Sequence, residues 1–264
     1  MINQRDIEQP FIFTVISGKG GVGKSMTSVN TAEMLGKMGY RVALIDADIG
    51  LSNCATLLNE PVVASVSHWI EGKCRLEDLM QDCGSFTLIT GSDEPGHEVP
   101  GELLMDALDQ LTLYLSHNHD FIIIDTPAGA GEMTLWGLDK AHLGVIVLVD
   151  EPTAISDVYR LCKYVYNIDP AYSFAGIVNF AENEETADST YQRFNTILNY
   201  FLQKQIPYLG FIPASQEIRD AVQQQNPVVR AKPDSSIFHD LEFISQNLIG
   251  YASNVSKQPS VTVR

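Results

Sequence analysis

The sequence predicts an α/β fold, a doubly wound, mostly parallel sheet flanked by helices, in a single domain over residues 1–264. Three observations predict it. Short apolar runs at Phe11–Ile16, Arg41–Ile45, Phe121–Ile124 and Gly144–Val149 alternate with segments of helical periodicity, the pattern of βαβ units. Several of these runs are apolar throughout, as strands buried on both faces must be. The first run breaks into glycines and ends in Gly-Lys-Ser, where a strand hands over to a helix.

That hand-over, Gly18-Lys19-Gly20-Gly21-Val22-Gly23-Lys24-Ser25, fits the phosphate-binding pattern G-x-x-x-x-G-K-[ST]. The glycines let successive N–H groups converge on phosphate oxygens, because no Cβ blocks the turn or the close approach. A helix opening near Lys24, with Met26 in its first turn, points its positive end at the same anion. Lys24 supplies a point charge for the β- and γ-phosphates, and Ser25 offers a hard oxygen to Mg²⁺. Val29, Ala32, Met34, Leu35 and Met38 give this helix an amphipathic reading.

The next strand, Arg41–Ile45, runs into Asp46-Ala47-Asp48. Two acids at i and i+2 on a strand's carboxyl end face one side, and in a doubly wound sheet that end is the ligand crevice. One can hold Mg²⁺ through water while the other orients an attacking water. Residues 52–85 carry little pattern beyond a short helix at Glu77–Met80; His68 reads as structural. A strand at Phe86–Thr90, a turn-rich loop at 91–101 and an amphipathic helix over 102–116 follow.

Phe121–Ile124 ends in Asp125, an acid placed to hold a Mg²⁺-bound water, and Thr126–Gly129 reads as a switch loop beside the γ-phosphate. A strand over Tyr172–Val178 stops at Asn179, and 181–188 reads as a solvated acidic loop. The helix Tyr191–Gln203 is expected to turn Phe194, Ile197, Leu198 and Phe201 inward. Tyr208–Ile212 is the last strand, ended by Pro213. Helices over 216–225 and 236–251 complete the chain, the latter packing its apolar stripe on the core. Residues 1–10 are expected to be an extension, and 252–264 a flexible tail.

Composition narrows the function classes. The 264 residues, 45% apolar, are enough for one good core. Seventeen basic against 33 acidic residues leave a net charge of −16, which disfavours direct DNA binding and anionic membranes. No basic patch interrupts this, so peripheral membrane contact has weak support and direct DNA contact is not expected. No apolar run approaches bilayer length, and MINQRDIEQP lacks a signal-peptide core, so a cytoplasmic location is expected. Cys54, Cys74, Cys83 and Cys162 form no C-x-x-C pair, which argues against a metal-cluster carrier.

Lys19-Gly-Gly-Val-Gly-Lys-Ser resembles the deviant Walker A motif of the MinD/ParA family, and Asp46–Asn53 (DADIGLSN) is close to the form found in MinD and in FlhG/FleN flagellar regulators. Asp-Thr-Pro-Ala-Gly at 125–129 and Glu-Pro-Thr-x-x-x-Asp at 151–157 are similar to their counterparts there, with Asp157 expected to start or cap a helix. The resemblance covers nearly all of residues 11–229. It implies a P-loop NTPase fold of the SIMIBI class that binds ATP and ADP with Mg²⁺.

It also implies roles. Lys19 would reach across an ATP-sandwiched homodimer to the partner copy's nucleotide, Asp46 would lie near the metal, and loss of Asp48 would block hydrolysis. Asn179 would hydrogen-bond adenine, although Phe180 stands where the family usually has a basic residue. Pro213 would line the adenine pocket, although Ala-Ser follows it. The implied function is a slow Mg-ATPase switch that controls flagellar number or placement through a protein partner. A MinD- or ParA-type positioning ATPase, a metal-cluster carrier and a non-hydrolysing regulator are the alternatives.

Overall fold

The computed structural model describes residues 9–48, 53–92 and 99–255. In chain order the elements are β1 (Phe11–Ile16), α1 (Lys24–Lys37), β2 (Val42–Asp46), α2 (Asn53–Leu58), α3 (Val66–Ile70), a 3₁₀ turn (Leu76–Leu79), β3 (Gln81–Asp82) and β4 (Thr87–Thr90). They continue with α4 (Gly101–Ser116), β5 (Phe121–Asp125), α5 (Glu132–Lys140), β6 (Leu143–Leu148), α6 (Pro152–Ile168) and β7 (Phe174–Ala181). The last five are α7 (Glu184–Leu202), β8 (Tyr208–Pro213), α8 (Gln216–Gln223), α9 (Val228–Ala231) and α10 (Ser236–Val255). The described strands form one sheet in the order β3-β4-β2-β5-β1-β6-β7-β8, parallel except for the short edge strand β3.

Strand alternation divides the core into two layers. Phe11, Phe13 and Val15, with Leu44 and Ile123, face the layer of α1 and α10. Ile12, Ile45, Ile122 and Ile124 face α4, while Ile16, Ile146 and Leu148 face α6 and α7. The sheet order reverses at β1, so the carboxyl ends of β1, β2 and β5 open onto one crevice, the place where doubly wound sheets bind ligands.

The helix α1 departs from the amphipathic reading: it is buried on nearly every side from Met26 to Leu35. Its apolar face meets the sheet, and its polar face is covered by α9 and α10. The polar groups are paired there, as burial requires. Val229 N–H donates to Asn30 Oδ1 at 3.2 Å, and Arg230 meets Glu33 at 2.7 Å while Ser85 Oγ donates to the other Glu33 oxygen. The apolar stripe of α10 (Ile237, Leu241, Ile244, Leu248) is buried as expected. The helix runs on to Val255 with Ala252 in the core, so the tail reading does not hold for 252–255; residues 256–264, like 1–8, lie outside the described residues.

Other expectations need correction. The segment 181–188 is not a loop: α7 starts at Glu184 because Asn183 and Thr186 cap each other's backbone, and Glu184 and Glu185 favour a helix N-terminus. Phe201 faces outward, 63% exposed, since Leu202 takes the inward position one turn after Leu198. Asp157 neither starts nor caps α6, which begins five residues earlier at Pro152 with Glu151 as its N-cap. Asn179 lies inside β7 rather than at its end. The short helix expected at Glu77–Met80 is the 3₁₀ turn one residue earlier, and most of the turn-rich 91–101 segment (93–98) is outside the described residues.

These placements separate two aliphatic or aromatic truncations in energy. Leu248→Ala should destabilise the protein by about 2–5 kcal/mol through the cavity it leaves. Phe201→Ala should cost less than about 1 kcal/mol. Urea unfolding of both variants measures the contrast, and equal losses would put Phe201 back in the core.

Candidate functional site

The loop between β1 and α1 is shaped by contacts that only glycine permits. A Cβ on Gly18 would stand 2.7 Å from the Ala154 carbonyl and the Val158 N–H of α6. Gly23, the α1 N-cap, has φ +85°, and a Cβ there would overlap the Asn179 amide. The first N–H groups of α1 carry no side-chain cap, an arrangement suited to an anion. They open onto a cavity of about 390 Å³. Lys19 to Met26, Asp48, Asn53 and Ala128 line one part of it, and Phe180, Leu57, Ile218 and Val222 another.

Beneath the loop is a buried ionic cluster. Lys24 Nζ lies 3.1 Å from Asp125 Oδ1, with side-chain exposures of 8% and 0%. Ser28 Oγ donates to the same oxygen at 2.9 Å, and the Cys54 thiol approaches Asp125 Oδ2 at 3.7 Å. Asp46 and Asp125 are register partners at the ends of β2 and β5. Asp46 accepts the N–H of Cys54 at 2.9 Å and that of Asp48 at 3.2 Å. One ligand atom from each of Asp46, Cys54 and Asp125 lies within 4.8 Å of the others.

Burial, then the Asp125 charge, pushes Asp46 up to about 7, against the pull of two N–H donors and Lys24. Burial lowers Lys24, but the charge and hydrogen bond of Asp125 outweigh it and its pKa ends raised. Burial and the neighbouring Asp46 raise Cys54 well above its usual value, so it stays a thiol. The two carboxylates and the Ser25 hydroxyl suit Mg²⁺ in kind; a protonated thiol does not. Ser25 lines the cavity, whereas Asp46 and Asp125 do not, so their hold on a metal there would run through water.

The remaining expected site residues divide. Asp48 lines the cavity half-buried, its Oδ2 accepting from Asn53 Nδ2 at 3.0 Å, and burial raises its pKa. Lys19 stands at the mouth, its ammonium 2.7 Å from Glu151 Oε2, both side chains about half exposed. Ile49–Ser52 of the second motif lie outside the described residues. Thr126 Oγ1 donates to the Val15 carbonyl and Gly129 N–H to that of Ser17, tying the expected switch loop to the strand under the phosphate loop. Asn179 and Pro213 are not among the cavity's lining residues. Asn179 Nδ2 instead donates to the Val22 carbonyl at 2.7 Å, bracing the loop from beneath.

Sequence reasoning missed Cys54, Glu151 and the apolar wall. No pattern marks Cys54, because the carboxylate that its thiol meets, Asp125, is 71 positions away. In the sequence Glu151 stands out only as part of the Glu-Pro-Thr motif, and Phe180 only as a residue where a basic one is usual.

Known proteins resemble this chain in sequence and in fold. Residues 9–249 match the ParA family described as NUBPL iron-transfer P-loop NTPase. The antiactivator FleN of Pseudomonas aeruginosa is 32% identical over 90% of this chain and 85% of its own. The flagellum site-determining protein YlxH of Helicobacter pylori is 31% identical over 89% and 80%. The septum site-determining protein MinD of Pyrococcus horikoshii, solved with Mg-ADP, superposes with a TM-score of 0.74 at 21% identity, over 95% of this chain and all of that one.

The raised Asp46 sets a pH dependence. The folded protein keeps this proton up to about pH 7, whereas the unfolded chain releases it near the ordinary 3.8, so stability falls as pH rises through that window and levels off above it. Asp46→Asn removes the titrating group, and its urea-unfolding free energy should fall less between about pH 4.5 and about pH 8 than that of wild type. Identical slopes would show that Asp46 is ionised throughout.

Proposed function

This chain belongs to the ParA/MinD family of P-loop NTPases and is similar over most of its length to FleN and YlxH, and on that premise we propose that it is an ATP-dependent dimerising switch that regulates flagellar number or placement. The observation that carries the reading is the pair of lysines at one cavity. Lys24 is withdrawn onto Asp125 below the loop, and Lys19 is held at the mouth by Glu151.

The N–H groups around Gly20–Ser25 receive the β- and γ-phosphates of ATP. Lys24 exchanges Asp125 for phosphate oxygens, a trade of one charge-assisted bond for another. Bound Mg²⁺, facing Ser25, Asp46 and Asp125, would supply charge neutralisation on the triphosphate. Lys19 leaves Glu151 for the nucleotide of a second copy. That release is cheap, because an ion pair half in solvent contributes only about 0–1 kcal/mol. Asp48, on the cavity wall, orients the attacking water. Hydrolysis removes the group that Lys19 holds across the interface, and the dimer parts.

The likeness to YlxH, a flagellum site-determining protein, supports the flagellar reading; a septum- or cargo-positioning role would use the same chemistry with a different protein partner. No helix among the described residues is long and apolar enough to cross a membrane. The iron-transfer description of the matched family invites a carrier reading, but the described cysteines are single and unpaired, and Cys54 is engaged with the acids beneath the loop.

Size-exclusion chromatography with light scattering, with ADP and with ATP, tests the switch. Wild type and Asp48→Ala should dimerise with ATP, Asp48→Ala remaining dimeric long after wild type has returned to monomer. Lys19→Ala should stay monomeric. An unchanged mass in all three would end the dimer-switch reading.

A further inference from the structure

Phe180 is in a conformation that its own packing does not explain. Between β7 and β8 the register runs Asn179 to Ile212 and then Ala181 to Pro213, so Phe180 is the extra residue of a bulge. Its φ is +58°, a region that bulky residues rarely adopt and that persists where the surroundings or a function impose it. The residues on either side are buried, yet Phe180 is 44% exposed. The bulge turns its ring into the cavity beside the phosphate loop: Cζ lies 3.1 Å from where a Cβ on Gly23 would stand.

The wall it forms is apolar. Leu57, Ile218 and Val222 line the same cavity, and Val222 is itself 41% exposed. A bulged aromatic over the phosphate loop, continued by aliphatic side chains, matches the flat, apolar face of a nucleobase whose phosphates occupy the loop. Asn179 is poorly placed to read that base's edge. Its Nδ2 is spent on Val22, and its Oδ1, buried without a partner, has no access to the cavity.

We propose that Phe180 is the stacking platform for the nucleotide base, and that the base is held by its face rather than read by hydrogen bonds at its edge. This rests on the reading of the cavity as an ATP site and adds to it a specificity. Apolar pockets discriminate between similar ligands by about a hundredfold at most, whereas sites built on hydrogen bonds to the ligand reach roughly ten-thousandfold. Adenine and guanine offer similar stacking faces, so ATP and GTP bind this chain within about a hundredfold of each other.

Calorimetric titration of wild type, Phe180→Ala and Phe180→Tyr with Mg·ATP, Mg·GTP and inorganic tripolyphosphate tests this. Alanine should weaken ATP and GTP alike by roughly 5- to 150-fold, the usual loss when a base-stacking aromatic is removed. Tyrosine should restore both, and tripolyphosphate should bind all three proteins equally. Undiminished ATP binding by Phe180→Ala would overturn the platform. A preference of wild type for ATP over GTP approaching a thousandfold would also overturn it, and would assign base reading to Asn179. Parallel loss of tripolyphosphate binding in Phe180→Ala would reduce Phe180 to a support for the loop. Wild type that binds neither tripolyphosphate nor ATP would instead remove the nucleotide-site reading on which the inference stands.

Discussion

The buried ion pair between Lys24 and Asp125 is the interaction on which both fold and site depend. Asp46 and Asp125 end neighbouring central strands and sit next to each other without solvent, and Lys24 is the cation that reaches into the same space. Removing one member of such a pair leaves an uncompensated buried charge, at a typical cost of about 3–5 kcal/mol. Keeping it ties the first turn of α1 to β5, and Ser28 adds a second tie to the same carboxylate. The lysine proposed to bind the phosphates is thus a structural counter-ion without them. On the proposed reading, binding and folding share one charge, and the site then has a physical reason to take two states.

The glycines and their neighbours explain why the loop keeps its shape around that charge. The start of α6 packs on Gly18 so closely that any side chain there would displace a helix, and Asn179 presses against Gly23 from below. Since α6 also presents Glu151 to Lys19, the helix that shapes the loop also holds the lysine expected to act between copies. The same crevice at the sheet's reversal collects Asp48 from β2's end, Ala128 from the segment after β5 and Phe180 from β7. Candidate site side chains from distant parts of the chain meet because parallel strands all end on one side.

Much of this was legible in the sequence because its signals are local. The strand–loop–helix around Lys24, the acid after Phe121–Ile124 and the apolar stripe of α10 each declare themselves within a dozen residues. What escaped is long-range or short. The near-complete burial of α1 depends on α9 and α10 folding back over Asn30 and Glu33 from some two hundred positions away. The helices α2 and α3 are six and five residues long, too short for a period to show. The early start of α7 lay in the Asn183–Thr186 cap, which an acidic composition disguised as a loop. Cys54 meets Asp125 only through the topology, and the bulge that aims Phe180 is a property of two paired strands.

The most direct test of the central claim is a crystal structure of this chain with Mg²⁺ and a non-hydrolysable ATP analogue. The triphosphate should lie in the loop between β1 and α1, with Lys24 Nζ bonded to phosphate oxygens and no longer to Asp125. An analogue bound in the loop while Lys24 remains paired with Asp125 would contradict it, since the buried lysine would then be structural ballast and not the moving part of a switch.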